Sequence, residues 1–456
     1  MSGATRARSW PRLGAALALG PTLLLLLALT QSPARASLWD TFGFGARSTA
    51  LGGAATAHSA DYDAVYYNPA NLLRRKVAHF GFGLGLIAPH LSVTRASGQD
   101  SFEPLTPSTN VGFHLGASTS VGGVFKDKLA LGFVLFHPIV NFTRIESIDP
   151  AIPHFYRYQN LPDKLIIAFA IAGEPVWWLR LGVGVQVLAS LNGRVTGAVS
   201  LTENRFTRQS IDVAVDVAGA PTAGLSLGPF HGLRFGATWR SPLALSYRLP
   251  IEFLIEEVGV LEVLIDGTSL YTPGQLALGL SWESAEDGKP GVTAEVGLTW
   301  ERWHKAPSEA AVFQLSVDDS VIRQGDHDPE TIISADGPAL PLGARDTITP
   351  RAGIEWRPTP MWAVRGGYAW RPTPIPRQIY QTNSLDSTAH IVSLGGGLAF
   401  RDPTRVHRAP LHLDISVQAT ILDRRVVRKA PGGTPDGAYW FDGVIWNALL
   451  DIRHDF

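Results

Sequence analysis

The sequence predicts an all-β protein, an antiparallel transmembrane β-barrel of about fourteen strands. Three observations lead there. Apolar and polar residues alternate with period two in segment after segment, which places every second side chain on one face of a strand. The composition is 45% hydrophobic and only 17% charged, whereas a soluble domain carries about a quarter charged residues. Yet beyond residue 36 no run approaches the roughly twenty consecutive apolar residues of a helical span, so a membrane protein with this sequence has to cross with strands. Finally, the connections come in two sizes, and outer-membrane barrels keep short turns in the periplasm and long loops outside.

Residues 1–36 read as a signal peptide. Arg6, Arg8 and Arg12 precede an apolar run from Gly14 to Leu29, and Ala34-Arg35-Ala36 supplies the small residues of a cleavage site. The barrel is expected over 77–456. Its clearest strand runs from Leu411 to Ile421, where Leu411, Leu413, Ile415, Val417, Ala419 and Ile421 share one face and His412, Asp414, Ser416, Gln418 and Thr420 the other. Similar alternation marks 181–188 and 211–217, with further strands near 77–88, 110–123, 129–143, 164–174, 232–248, 274–283, 291–304, 346–357, 361–371, 390–401 and 443–456. Segments 251–270 and 310–318 are either strands or hairpins inside loops, which leaves the count open by two in each direction. An even number is favoured, because bacterial single-chain barrels return both ends to the periplasm.

Glu174-Pro175 and Pro358-Thr359-Pro360 suit tight turns, whereas 146–162, 318–346, 371–389 and 424–439 are long polar loops. Trp177, Trp178, Trp239, Trp282, Trp300, Trp303, Trp362, Trp370, Trp440 and Trp446 lie mostly near strand ends, the position of interfacial aromatic girdles. In the last strand Val444, Trp446, Ala448, Leu450, Ile452 and Phe456 share a face, with His454 the exception. Such a strand ending in an aromatic resembles the element read by the barrel assembly machinery, an expected partner during biogenesis.

Other function classes find little support. Without cysteine the chain has neither disulfides nor thiolate chemistry, although this fixes no compartment. A formal net charge of −1 gives no general attraction to nucleic acid. No cofactor and no metal site is expected: the acidic run of Asp318, Asp319, Asp326, His327 and Asp328 matches no calcium-loop spacing and suits a solvated loop. Gly81-x-Gly83-x-Gly85 is followed by no helical pattern, so it is no dinucleotide fingerprint, and close strand packing accounts for it. His79, His90, His114, His137, His390 and His412 fall on strands, but no Gly-x-Ser-x-Gly elbow accompanies them. An outer-membrane lipid hydrolase is therefore the weaker rival, and the chain is expected not to be an enzyme.

The segment after the signal carries more information. It reads Phe42-Gly43-Phe44-Gly45-Ala46-Arg47-Ser48-Thr49-Ala50-Leu51-Gly52-Gly53-Ala54, then Asp61-Tyr62-Asp63-Ala64-Val65-Tyr66-Tyr67-Asn68-Pro69-Ala70-Asn71-Leu72. This resembles the start of the FadL/TodX family of outer-membrane long-chain fatty acid and hydrocarbon transporters, with its Gly-Gly-Ala segment, Asp-rich turn and Asn-Pro-Ala motif. Leu131-Gly132-Phe133-Val134 with His137-Pro138 resembles the family's third strand. Arg351-Ala352-Gly353-Ile354-Glu355-Trp356, Val364-Arg365-Gly366-Gly367-Tyr368 and Pro374-Ile375-Pro376 are similar to a later hairpin, and Ser393-Leu394-Gly395-Gly396-Gly397 to the strand after it.

The resemblance implies fourteen strands, an N-terminal hatch over 37–76 plugging the lumen, and lateral exit of a hydrophobic ligand beside a kink in the third strand. Gly52, Gly53, Ala54, Asp61, Asn68, Pro69 and Ala70 would then belong to the hatch, and His137 and Pro138 to the lateral opening. Pro138 lacks a ladder donor, so it suits either a break in pairing or simply the outer end of the strand. Arg157, Lys164 and Arg248 are candidates for a ligand head group by loop or rim position. The expected partners are hydrophobic small molecules (fatty acid, alkane or aromatic) and outer-membrane lipids, with the barrel a monomer. The principal alternative is a structural or shuttle barrel of a secretion system, which shares the Gly-Ala-Arg and Asn-Pro-Ala signature.

Overall fold

The computed structural model describes residues 41–95, 104–139, 151–158, 165–200, 205–255, 259–285, 289–307, 312–318, 331–336, 341–402 and 409–456. The expected signal peptide, residues 37–40 of the hatch, Lys164 and the acidic run beyond Asp318 lie outside these residues. The strands are β1 (His79–Arg95), β2 (Asn110–Ser120), β3 (Leu129–Pro138), β4 (His154–Phe155), β5 (Ile166–Val176), β6 (Leu179–Ser200) and β7 (Arg205–Phe230). They continue as β8 (Leu233–Arg240), β9 (Leu243–Ile255), β10 (Gly259–Thr272), β11 (Gly274–Glu283), β12 (Gly291–Arg302), β13 (Val312–Asp318) and β14 (Thr331–Asp336). The last are β15 (Thr347–Arg357), β16 (Trp362–Arg371), β17 (Ser384–Leu385), β18 (Ala389–Phe400), β19 (Leu411–Arg428) and β20 (Ala438–Asp455).

Fourteen of these form the wall. The antiparallel order is β1, β2, β3, β5, β6, β7, β8, β11, β12, β15, β16, β18, β19 and β20, and β20 pairs back with β1 from His79↔Asp455 to Arg95↔Tyr439. Closure removes the sheet edges, so wall backbone groups pair inside the protein instead of facing hydrocarbon.

Alternation sets which face meets lipid. In β1, Phe80, Phe82, Leu84 and Leu86 are exposed outside, while Gly81, Gly83 and Gly85 point inward. In β19, Ile415, Val417 and Ile421 are exposed, and Asp414, Ser416, Gln418 and Thr420 are buried inside. Trp177, Trp178, Trp239, Trp282, Trp300, Trp362, Trp370 and Trp446 are exposed on the outer surface, as a girdle requires. Trp303 departs from that expectation: it turns inward and is buried against Tyr156 and Tyr271.

Two strand expectations change. The single strand read over 232–248 is two, because Ser241-Pro242 ends β8 and the chain starts anew as β9. The ambiguous segments 251–270 and 310–318 lie outside the wall, in the hairpins β9–β10 and β13–β14 that pair with each other at the long-loop end. The loop read over 424–439 is shorter, since β19 reaches Arg428 and β20 begins at Ala438.

Candidate functional site

Residues 41–74 occupy the lumen. The short helices Ala46–Ala50 and Ala64–Tyr67 and the 3-10 turn Pro69–Leu73 are almost wholly buried, and wall strands surround them. The contact depends on missing side chains. Added Cβ atoms at Gly81 and Gly116 would strike Tyr62, at Gly132 Val65 and Leu72, at Gly182 and Gly224 the Asn68-Pro69-Ala70 turn, and at Gly236 the Thr56 backbone. On the opposite side Gly279 faces Ala57, Gly353 and Gly367 face Leu51, and Gly395 faces Ala50. Of the glycines read as close strand packing at 81–85, Gly81 makes room for the plug, whereas Gly83 and Gly85 face His114, Asp451 and Leu449 of the neighbouring strands.

Polar side chains complete the grip. Ala46 N–H donates to Asp451 Oδ2 at 2.6 Å and Ala57 N–H to Glu295 Oε1 at 2.9 Å. Thr238 Oγ1 donates to the Tyr67 carbonyl (2.9 Å), Arg240 to the Tyr66 carbonyl (3.0 Å) and Arg351 to the Gly52 carbonyl (3.1 Å). Arg453 pairs with Asp61, and Arg47 reaches out to Glu355 at 2.9 Å. Short helical pieces leave many backbone groups without intrahelical partners, and these wall groups satisfy several of them.

Inside the plug, two carboxyls lie close together. Burial and the neighbouring Asp61 push the Asp63 carboxyl up to about 8, while Arg453, opposing the burial, holds Asp61 well below the ordinary carboxylate range. Ser48 Oγ donates to Asp63. Burial, then Arg74 and Arg47, lowers His58 to about 4.

Above the plug, outer segments fold inward as a cap. β4 pairs parallel with β17. Asn383 Nδ2 donates to the Ala151 and Thr434 carbonyls at 2.8 and 2.7 Å, and Lys429 Nζ donates to three backbone carbonyls between Gln378 and Thr382. Between the plug and strands β20, β1, β2 and β3 lies a small cavity. Phe42, Phe44, Ile87, Phe136 and Leu449 give it an apolar lining, with Asn110, His114 and Asn447 the polar contributors. A second cavity, on the β8–β19 side, is polar: Thr41, Thr56, Arg240, Gln275, Arg351 and Gln418 are among its walls.

No family model matches this sequence, and no curated protein matches it. Solved structures do match. A Pseudomonas aeruginosa FadL homologue aligns over 90% of this chain and 98% of its own, with 12% identity and a TM-score of 0.53. The Pseudomonas putida toluene transporter TodX aligns over 91% and 98% at 13% identity and TM-score 0.52, and the Ralstonia pickettii toluene transporter TbuX over 91% and 98% at 15% and 0.51. The chain has the fold of the FadL and TodX barrels. The resemblance read from scattered motifs thus extends to the architecture of nearly the whole chain.

Within this FadL-type barrel the expected hatch residues fall together. Gly52 and Gly53 adopt φ of 67° and 75°, the left-handed region where glycine carries no Cβ penalty, and Gly52 lies flat against the Tyr368 backbone. Ala54 is buried beside them. Asn68 Nδ2 donates to the Thr56 carbonyl (2.8 Å) and across to the Leu225 carbonyl of β7 (3.0 Å), and its Oδ1 accepts from Ala70 N–H (3.1 Å). Pro69 starts the 3-10 turn, which suits its fixed φ and missing donor.

Of the two readings of Pro138, the geometry matches the strand end. It is the last residue of β3, and pairing with β2 continues without a register shift to Gly112↔Pro138. On the other side, described pairing with β5 stops at Phe136↔Ile166. His137 faces outward and stacks on Phe113 at 5.2 Å. Arg157 is only 6% exposed and belongs to the cap, with its guanidinium 4.4 Å over the Trp303 ring and 3.8 Å from Asp386. Arg248 is exposed on β9, beyond the wall. Sequence reading missed the wall partners of the plug, Arg240, Glu295, Arg351, Asp451 and Arg453. Their one visible signal is a charged or polar residue on the inward side of an alternating strand.

Proposed function

We propose that the barrel carries small hydrophobic compounds passively across the outer membrane, past the plug at 41–74 and out through the wall. One observation carries this reading: the inner face of the wall holds many buried polar and charged side chains, yet the plug and strands β1, β2, β3 and β20 line an apolar, aromatic-rich cavity. Ligand sites are concave, mostly apolar and furnished with few polar groups. TodX and TbuX, which share the fold, are toluene transporters, and that points to the same class of cargo.

Hydrocarbons fit better than ionised fatty acids. A carboxylate leaving water needs a cation, and Arg157 is engaged with Asp386 and Trp303 while no lysine or arginine lines the apolar cavity. The plug fills the lumen below, so the route out is lateral. The wall beside the cavity is thin where Gly85 pairs with Gly112, and the β3–β5 ladder gives out at Phe136. Sideways exit into lipid also spares an alkyl cargo the exposure of each methylene to water, about 0.8 kcal/mol apiece. One chain encloses one lumen, so the monomer is the transporting unit.

The test is uptake of labelled toluene, hexadecane and oleate by cells with and without the gene. Deletion should slow uptake of toluene or hexadecane severalfold. If no member of the panel is affected while the folded barrel still reaches the outer membrane, the reading fails.

A further inference from the structure

An acceptor on the wall of the apolar cavity has no hydrogen-bond partner among the described residues. Asn447 on β20 is 3% exposed and lines the cavity beside Phe42 and Leu449. Its Nδ2 donates to the Phe42 carbonyl, which fixes the amide orientation, because a flipped amide would set two oxygens against each other. Its Oδ1 has no hydrogen-bond partner among the described residues. The register places Asn447 directly opposite Ile87, the residue that also faces Asn110 on the other flank of β1. The acceptor thus sits at the level of the apolar lining, and no arginine or lysine shares that lining.

A buried acceptor left unsatisfied is costly, and a site that holds one rejects ligands unable to bond it. The nearby carboxylate is already committed: Asp451 accepts from Ala46 N–H and Tyr62 and lies 3.1 Å from His114. From this arrangement we infer that the cavity selects uncharged hydrophobes carrying one hydrogen-bond donor, such as a phenol or an aliphatic alcohol, over plain hydrocarbons of the same shape. The donor hydroxyl binds Asn447 Oδ1, and the ring or chain packs among Phe42, Phe44 and Phe136. A carboxylate is disfavoured, because it brings a second acceptor and an unpaired charge into an apolar site.

This inference rests on the transport reading and narrows its cargo. p-Cresol and p-xylene test it, since they differ by a hydroxyl in place of a methyl, with 4-methylbenzoate as the anionic analogue. Binding of each labelled compound to the detergent-solubilised barrel is measured by equilibrium dialysis, with empty micelles as the blank for partitioning. p-Cresol should bind on the order of tenfold tighter than p-xylene, the worth of one hydrogen bond to an orphaned acceptor, and 4-methylbenzoate weaker than both. Asn447→Leu should bring p-cresol and p-xylene together. Equal binding of the two by the unaltered protein, or a preference that survives Asn447→Leu, overturns the inference while leaving hydrophobe transport standing. Binding of neither compound above the micelle blank sinks both. The unaltered protein alone decides the matter should the variant fail to assemble.

Discussion

Charged residues in the lumen do different work from those on a soluble surface, because Arg47, Asp61, Glu355 and Arg453 are buried and paired with one another across plug and wall. Arg453 holds Asp61 and is 3.3 Å from Asp455. Arg453→Ala would leave the Asp61 carboxylate buried beside Asp63 with its main partner gone, a loss of about 3–5 kcal/mol for a broken buried pair. The expected result is a lower urea midpoint for the solubilised barrel and a larger leak in planar bilayers. The Asp61–Asp63 pair also predicts how the plug responds to pH. The Asp63 carboxyl is raised from 3.8 to about 8, so the fold favours its protonated form. That contribution is complete below the ordinary value and is lost as pH rises through about 8. His58 is depressed from 6.5 to about 4, so its neutral form is favoured, and that contribution is lost as pH falls from 6.5 toward 4. The two ranges overlap between about pH 4 and 6.5, where one loss offsets the other, so leak should rise as pH climbs from 6.5 through about 8. Asp63→Asn should abolish the alkaline rise in conductance, and an unchanged rise would remove Asp63 from the plug's grip.

Among the elements, β3 decides whether the lateral route exists. Its pairing with β2 is continuous to Pro138, so the seam in question lies on the β5 side, above Phe136↔Ile166. The chain lacks cysteine, so a single engineered pair, Leu135→Cys with Ile167→Cys, can staple the registered neighbours Leu135 and Ile167 next to that seam. Oxidation should reduce hydrophobe uptake severalfold and reduction should restore it; uptake indifferent to the staple would place the exit elsewhere. The same strands show what a sequence makes legible. Alternation in 411–421, 181–188 and the terminal strand was enough to set the face of each side chain, because strand periodicity is local. The hatch motif was legible because Gly52, Gly53, Asp61 and Asn68 cluster within one short stretch. The partners of that motif were not. Arg351, Glu295 and Asp451 lie hundreds of residues away from it, and a period-two pattern announces an inward polar side chain without saying what it meets. The Ser241-Pro242 break also passed unnoticed inside an apolar run, where hairpin and wall strand share one composition.

For the molecule as a whole, two solvents explain the distribution of residues. The outer surface shows leucine, valine, phenylalanine and tryptophan to lipid, while the inner face shows glycine, arginine, aspartate and glutamate to a plug. Beside β1, β2, β3 and β20 the plug leaves an apolar cavity against the wall. Hydrophobic cargo on its way across is expected to occupy this space. Photolabelling of the membrane-embedded protein with an apolar aryl diazirine, read by peptide mass spectrometry, tests it directly. The label should modify the inward residues Phe42, Phe44, Phe136 and Leu449, suppressed by excess toluene, in addition to the lipid-facing Phe80, Leu84 and Leu131. Label confined to the lipid-facing set, with nothing inside the wall, would contradict it.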